Sequence, residues 1–281
     1  MKKLVLLLFM VSASFSLNAQ ITTPQPSPAA TVKQVVGLTD VTLEYSRPAM
    51  RGRTIFGDLV PYNTLWRTGA NKNSVITFSN DVIVGGKSLK AGSYAIFSTP
   101  GESVWEVTFY SDTENWGTPQ NWDASKVAAI VKANPTKLAE KVESFTIAIN
   151  HLSDNGAHLV ISWGDTKVAI PFEVPTDATV TANINKVMNG AGAGDYYAAA
   201  VYYLSADKDI SKAKEWMDKA MSLTEKPAYW QLRQQSLIYA KAGDKKGAIA
   251  AAKKSLAGAQ EAKNMDYVKM NTDSLKEWGA M

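Results

Sequence analysis

Residues 144–172, SFTIAINHLSDNGAHLVISWGDTKVAIPF, decide the fold class. Phe145, Ile147 and Ile149 alternate with Thr146, Ala148 and Asn150, and after a polar break Leu159, Ile161 and Trp163 alternate in the same way. A period of two places successive side chains on opposite faces, so both runs read as half-buried β-strands. Between them Asn155-Gly156 supplies the backbone freedom of a tight turn, which predicts a β-hairpin. Val168, Ile170 and Phe172 repeat the alternation. Gly164-Asp165 reads as a further turn, and Pro171, which has no N–H to donate, reads as an edge or bulge.

Working outward, the same period runs from Val35 to about Thr176. Trp105, Val107 and Phe109 alternate, and residues 41–46, 75–79, 82–84 and 94–98 are further candidate strands. Gly85-Gly86, Lys90-Ala91-Gly92 and Pro100-Gly101 punctuate them. Short strands separated by such turns predict an antiparallel sandwich or barrel. Near Pro175 the period becomes helical: Val180, Ile184, Val187 and Met188 share a face, with Thr176 or Asp177 as N-cap. Helical patterning continues to Trp278, with breaks at 190–194, 206–209, 225–227 and 243–244. The pattern Ala213-x6-Ala220-Met221 recurs 35 positions later as Ala248-x6-Ser255-Leu256. With Tyr239-Ala240-Lys241-Ala242-Gly243-Asp244 ahead of it, this second unit is similar to the middle of a tetratricopeptide repeat, whose period is about 34. Small residues at 213, 220 and 248 let paired helices approach closely. The expected architecture is α+β and multidomain: an all-β antiparallel sandwich-like domain over 35–176, then α-helical tetratricopeptide-like repeats over 177–281.

At 281 residues, 46% hydrophobic and 20% charged, the chain has the composition of a globular protein large enough for two domains. Its start differs from the rest. Lys2 and Lys3 precede an unbroken apolar run over 4–11, and small and polar residues lead to Ala19 and Gln20. That is the layout of a cleavable export signal over 1–19, too short to remain as a membrane anchor. Residues 20–34, with Pro24, Pro26 and Pro28, read as an extended linker. Zero cysteines exclude both a lipid-modified cysteine and disulfide stapling. The expected location is therefore periplasmic, with secretion second. Without Lys2 and Lys3, 28 basic side chains face 26 acidic ones, and no basic block marks a nucleic-acid or anionic-membrane partner.

The segment 46–71 reads SRPAMRGRTIFGDLVPYNTLWRTGAN. Through Ser46-Arg47-Pro48, Arg51-Gly52-Arg53, Ile55-Phe56-Gly57, Leu59-Val60-Pro61-Tyr62 and Trp66-Arg67-Thr68-Gly69-Ala70-Asn71, it resembles the bacterial family known only as domain of unknown function 2911. Leu89-Lys90-Ala91-Gly92-Ser93-Tyr94, Pro100-Gly101 and Trp116-Gly117 extend the resemblance over roughly 35–174. The resemblance implies an exported domain, in some members followed by helical repeats, and implies no biochemical role.

Chemistry must therefore be read from the residues. Arg47, Arg51, Arg53 and Arg67 fall within 21 positions among glycine, proline and aromatic residues. A guanidinium is a planar fork of donors that suits carboxylate or phosphate. Either the four are consumed internally, on Asp58, Glu44, Glu143 or backbone carbonyls, or at least two of them form an anion-binding patch. Trp66 either stacks on a ligand or caps the core. A weaker candidate is 112–123, DTENWGTPQNWD, where Trp116 and Trp122 beside Asn115, Gln120 and Asn121 have the chemistry of sugar recognition, unless both indoles fold inward. No Gly-x-Ser-x-Gly elbow is present, and Gly190-Ala191-Gly192-Ala193-Gly194 lacks the Lys-Ser/Thr of a phosphate loop. His151 and His158 could face each other across the hairpin, yet with only Asp154 nearby they fall short of a metal's usual three or four ligands. No catalytic residue, metal or cofactor is assigned. The leading expectation is a non-catalytic periplasmic binding or protein-interaction module, whose repeats dock a protein or peptide and whose β domain takes a small anion or sugar. The alternative is a cell-envelope enzyme acting on an anionic or carbohydrate substrate held by the arginine cluster. N-terminal sequencing of the exported protein is expected to begin at Gln20; a chain retaining Met1 would contradict the signal.

Overall fold

The computed structural model describes residues 23–281. The expected signal over 1–19 lies outside the described residues. The chain forms two compact units, one ending at Thr176 and one spanning Asp177–Met281.

Among its described residues the first unit contains ten strands: β1 (Ala29–Val36), β2 (Thr39–Ser46), β3 (Ser74–Phe78), β4 (Val82–Val84), β5 (Lys87–Leu89), β6 (Gly92–Thr99), β7 (Trp105–Tyr110), β8 (Val127–Ala133), β9 (Thr136–Ser153) and β10 (Gly156–Glu173). They form an antiparallel six-stranded sheet, β1-β2-β3-β6-β7-β8, and an antiparallel four-stranded sheet, β5-β4-β10-β9. Leu43, Ile76, Ile96 and Val107 of the first sheet share one core with Val82, Phe145, Ile147, Leu159 and Phe172 of the second. Phe78 meets Phe172 edge-on at 5.5 Å between ring centroids. Two sheets closed over one apolar layer are a sandwich, the arrangement that period-two strands reach by burying one face each. Burying each such side chain contributes about 1.5–3 kcal/mol.

Two sequence expectations are corrected here. The linker expected over 20–34 is shorter, because β1 begins at Ala29. No proline falls within Ala29–Val36, so every residue there has an N–H; β1 pairs with β2 from Ala29↔Ser46 to Val36↔Thr39, and Ala30 and Val32 pack against the core. Gly164-Asp165 is not a turn but lies inside β10, which runs unbroken for 18 residues. Inward residues are odd-numbered before it (Leu159, Ile161, Trp163) and even-numbered after it (Val168, Ile170, Phe172). Gly164, at φ +60°, is where the phase changes, and register shifts flank it on both sides. A glycine in the left-handed region lets the strand skip a step without reversing. Pro171 lies between Lys167, the last residue registered against β9, and Phe172, the first against β4, where its missing N–H costs no ladder bond.

The second unit contains α1 (Thr176–Val187), α2 (Ala193–Ser205), α3 (Ile210–Ser222), α4 (Tyr229–Lys241), α5 (Lys245–Glu261) and α6 (Met265–Glu277). The breaks between α1 and α5 fall where glycine, aspartate and proline interrupt the sequence. A further break at Ala262–Asn264, within a run read as continuous, comes from Lys263 at φ +55° and from Asn264, whose side chain caps α6 by accepting the Tyr267 N–H. α2 packs on α3 and α4 on α5, two hairpins 35 residues apart. Ala213, Ala220, Ala248 and Ser255 are all at 0% exposure, so the repeated small residues are the contact points of these pairs. Asp218 of α3 accepts the Tyr239 hydroxyl of α4, and the Lys214 ammonium lies 4.5 Å from the Tyr239 ring centroid, tying one hairpin to the next. Burial, with Asp218 second, pushes the Tyr239 phenol up to about 12. Among the described residues no helix is long and apolar enough to cross a membrane.

A leucine has no room where a helix backbone fills the space. Ala248→Leu is expected to lower unfolding stability by about 1–3 kcal/mol through overpacking, read by chemical denaturation; an unchanged midpoint would contradict the close-packed hairpin.

Candidate functional site

The connection between β2 and β3, residues 47–73, lies along the open edge of β9. Met50 N–H donates to the Glu143 carbonyl at 2.8 Å, Phe145 N–H donates to the Pro48 carbonyl at 2.9 Å, and Ala49 bridges Ser144. These bonds satisfy an edge strand that would otherwise present bare backbone. Met50, Ile55 and Val60 then enter the core. Farther on, Trp66 and Ser98 exchange both backbone hydrogen bonds, at 2.8 and 2.9 Å. A strained turn follows. Thr68, a β-branched residue, is held at φ +55° and Gly69 at φ +138°. The Thr68 hydroxyl pairs with Ser98 Oγ at 2.8 Å, and its carbonyl accepts from Ser74 Oγ. A side chain at Gly69 would stand 2.9 Å from Ser74 Oγ and 3.4 Å from Phe145, so only glycine fits. A β-branched residue in the left-handed region costs about 1–3 kcal/mol and persists only where its surroundings fix it.

This backbone encloses a cavity of about 360 Å³ lined by Arg51, Arg53, Arg67, Trp66, Trp163 and Gly69, with Pro26, Pro48, Leu59 and Val60 among its walls. Its floor is aromatic. Trp66 stacks on Trp163 at 6.1 Å and 15° between planes, and meets Phe56, Trp105 and Phe145 edge-on. Trp66 is thus both core and cavity wall. Trp163 Nε1 donates to the Glu143 carbonyl at 3.2 Å.

The four suspected arginines separate by what they bind. Arg47 does not line the cavity: its Nε donates to the Phe145 carbonyl at 3.0 Å and its Nη2 to Thr146 Oγ1 at 2.8 Å, fastening the connection to β9. Arg53 donates to the Met50 and Ala49 carbonyls at 2.8 and 2.7 Å, which fixes its fork at the cavity wall with three donors left over. Arg51 and Arg67 are held loosely, by single contacts to the Pro26 carbonyl at 3.3 Å and the Asn71 carbonyl at 3.5 Å, the second at the limit of a useful bond. Every acceptor is a neutral oxygen. Among the described residues no carboxylate stands within 4.0 Å of any of the four guanidinium groups. Of the expected acidic partners, Glu143 accepts the Arg51 backbone N–H at 2.8 Å rather than its side chain.

The weaker candidates fare differently. Trp122 stacks on Tyr110 at 4.5 Å and meets Phe97 edge-on, packed on one side and 38% exposed overall. Trp116 is 75% exposed. Nearby, the Lys72 ammonium, hydrogen-bonded at 2.9 Å, holds the Glu114 carboxyl below its usual value. That carboxylate is engaged by lysine. The rings of His151 and His158 do face each other at 4.7 Å, and among the described residues no group of three metal-ligating side chains assembles.

Sequence reasoning missed Trp163, Pro26 and Ser27 as cavity residues. Trp163 reads as one more inward strand position, and Pro26-Ser27 reads as linker. The signal available for Trp163 was Gly164 beside it, since a strand that breaks phase re-aims its neighbours.

The model of a family described as protein of unknown function (DUF2911) matches residues 27–172, more than half of the chain and nearly all of the sandwich. No curated protein and no solved structure matches the chain.

The division of roles among the arginines is measurable. Arg47→Met removes two bonds from a charged donor and is expected to cost about 1–3 kcal/mol in urea unfolding. Arg51→Gln is expected to stay within about 0.5 kcal/mol of the parent. Equal losses from both would contradict the assignment of Arg47 to structure and Arg51 to the cavity.

Proposed function

We propose a binding function for this chain, which belongs to the domain of unknown function 2911 family, on the strength of its cavity: the N-terminal unit takes a small carboxylate- or phosphate-bearing ligand on Arg51, Arg53 and Arg67. The observation that carries this reading is three guanidinium groups around one cavity with only neutral oxygens as partners. Arg51 and Arg53 are exposed and Arg67 is half-buried, so an incoming anion meets accessible forks whose charge their carbonyl partners do not neutralise. The Arg53 fork, preformed by two carbonyl bonds, loses little further freedom on binding. Arg53, tied by two short bonds, sets the register of the ligand; Arg51 and Arg67, each on one long bond, close on it.

The function is binding rather than catalysis. Among the described residues the cavity lining carries no carboxylate and no imidazole, the groups general acid–base chemistry most often uses. An enzyme acting on the same anion would have to bring such a group from outside the lining. The leader-like start, with Lys2, Lys3 and the apolar run before Ala19, supports a periplasmic setting for this ligand. Two helical hairpins at a 35-residue spacing support a docking role for the second unit toward a protein or peptide, the use to which stacked helical repeats are commonly put.

Thermal unfolding at matched ionic strength tests the site. Phosphate or citrate, compared with chloride, is expected to raise the melting temperature of the full chain, corresponding to about 2.7 kcal/mol at a hundredfold excess over Kd. The double variant Arg51→Gln, Arg67→Gln is expected to lose that rise while melting near the parent temperature without ligand. An equal rise in both proteins, or none in the parent, would remove the proposal.

A further inference from the structure

The arginine cavity and the exposed tryptophan loop were separate candidates in the sequence; the backbone joins them. Residues 112–117 are fastened to the strip that follows the Trp66–Asn71 turn. The Asn73 N–H donates to the Asn115 carbonyl at 3.2 Å, Asn73 Nδ2 donates to the Gly117 carbonyl at 2.9 Å, and Lys72 bridges Trp116 as an antiparallel pair. Gly117, at φ +96°, brings the loop so close that a methyl there would stand 3.4 Å from Arg67 Nη1. The loop is also held at its base, where Lys126 pairs with Asp112 at 2.6 Å and Asn115 donates to the Asp112 carbonyl at 3.2 Å. Trp116 therefore stands one residue from Gly117, whose vacant side-chain position adjoins a cavity arginine, on a loop held at Asp112, Asn115 and Gly117.

An indole at 75% exposure is unusual for the largest apolar side chain. The cavity's own tryptophans offer little free face: Trp163 is 2% exposed, and Trp66 is flanked by four other rings. Trp116, outside the cavity lining itself, offers an exposed aromatic face one residue along the chain from Gly117. Further along the same loop, Gln120 and Asn121 are exposed amides. A flat apolar face, amide hydrogen-bonders and a neighbouring guanidinium together match a ring that is apolar on its faces, hydroxylated at its edge and charged at one substituent.

We propose that the ligand is an anionic saccharide, its charged group on Arg67 and the other cavity arginines and its ring on Trp116. This rests on the anion-binding reading above and goes further by naming the ligand class and a specificity residue. The charged group is a carboxylate, as in a uronic acid, or a phosphate ester; both present the same forked oxygens to guanidinium.

Calorimetric titration of the full chain with inorganic phosphate, glucose, glucose 6-phosphate and glucuronate separates the claims. The parent is expected to bind one of the two charged sugars at least about tenfold more tightly than phosphate, the scale of one aromatic contact, and to give no signal with glucose alone. Trp116→Ala is expected to erase that tenfold margin while leaving phosphate affinity unchanged, and Trp116→Phe to restore part of it. The indole is solvated, so neither substitution removes core packing. Phosphate bound no more weakly than either charged sugar would overturn the saccharide assignment and leave the anion site standing. A margin that persists in Trp116→Ala would overturn the role of Trp116. No binding of any anion would remove the anion site and this inference with it.

Discussion

Guanidinium groups answered by carbonyl and hydroxyl oxygens, with no carboxylate in reach among the described residues, are the constraint on which this account rests. A carbonyl oxygen satisfies hydrogen-bonding geometry but returns no charge, so the positive field of Arg51, Arg53 and Arg67 remains directed at the cavity. Of the acids expected to answer the arginines, Asp58 and Glu44 form no ion pair with them among the described residues, and others in this region are engaged elsewhere. Glu114 pairs with Lys72, Asp112 with Lys126, and the Glu143 carboxylate takes a backbone N–H. Lysines thus hold the acids of the surrounding loop, and the arginines are left to the cavity.

The sandwich makes this arrangement rigid. β9 is an edge strand, and the connection that carries the arginines is the element that pairs with that edge. Arg47 spends its fork on fastening the two together, which fixes the backbone from which Arg51 and Arg53 project. At the other end, the Trp66 to Gly69 turn is held in an unfavourable conformation by Ser74 and Ser98, both fully or almost fully buried. Backbone strain anchored in a packed core positions Trp66 and Arg67 more closely than a mobile loop would.

Much of the fold is legible in the sequence because alternation and turn chemistry agree. Phe145, Ile147 and Ile149 face inward as their spacing requires, and Asn155-Gly156 closes the hairpin. The illegible parts have physical causes. β8 and the first half of β9 are rich in alanine, lysine and glutamate, residues that strand propensity does not favour, and they pair because neighbouring strands demand it. Gly164 carries the same local signal whether it reverses a strand or shifts its phase; only the change from odd to even inward positions tells them apart. Within the candidate site, the arginine cluster was visible as composition, but its sorting was not. Arg47 differs from Arg67 through partners 98 and 99 residues away in sequence, Phe145 and Thr146. The exposed Trp116 and the packed Trp122 were likewise indistinguishable until Tyr110 and Phe97 were placed beneath the latter.

The availability of these cations to a ligand can be observed at the atoms concerned. In proton–nitrogen spectra of the arginine side chains, the Nε–H signals of Arg51, Arg53 and Arg67 are expected to shift saturably as phosphate is added, with that of Arg47 unmoved. Signals that all stay in place, or an Arg47 signal that moves with the others, would contradict the claim that a charged cavity stands open beside a structurally committed arginine.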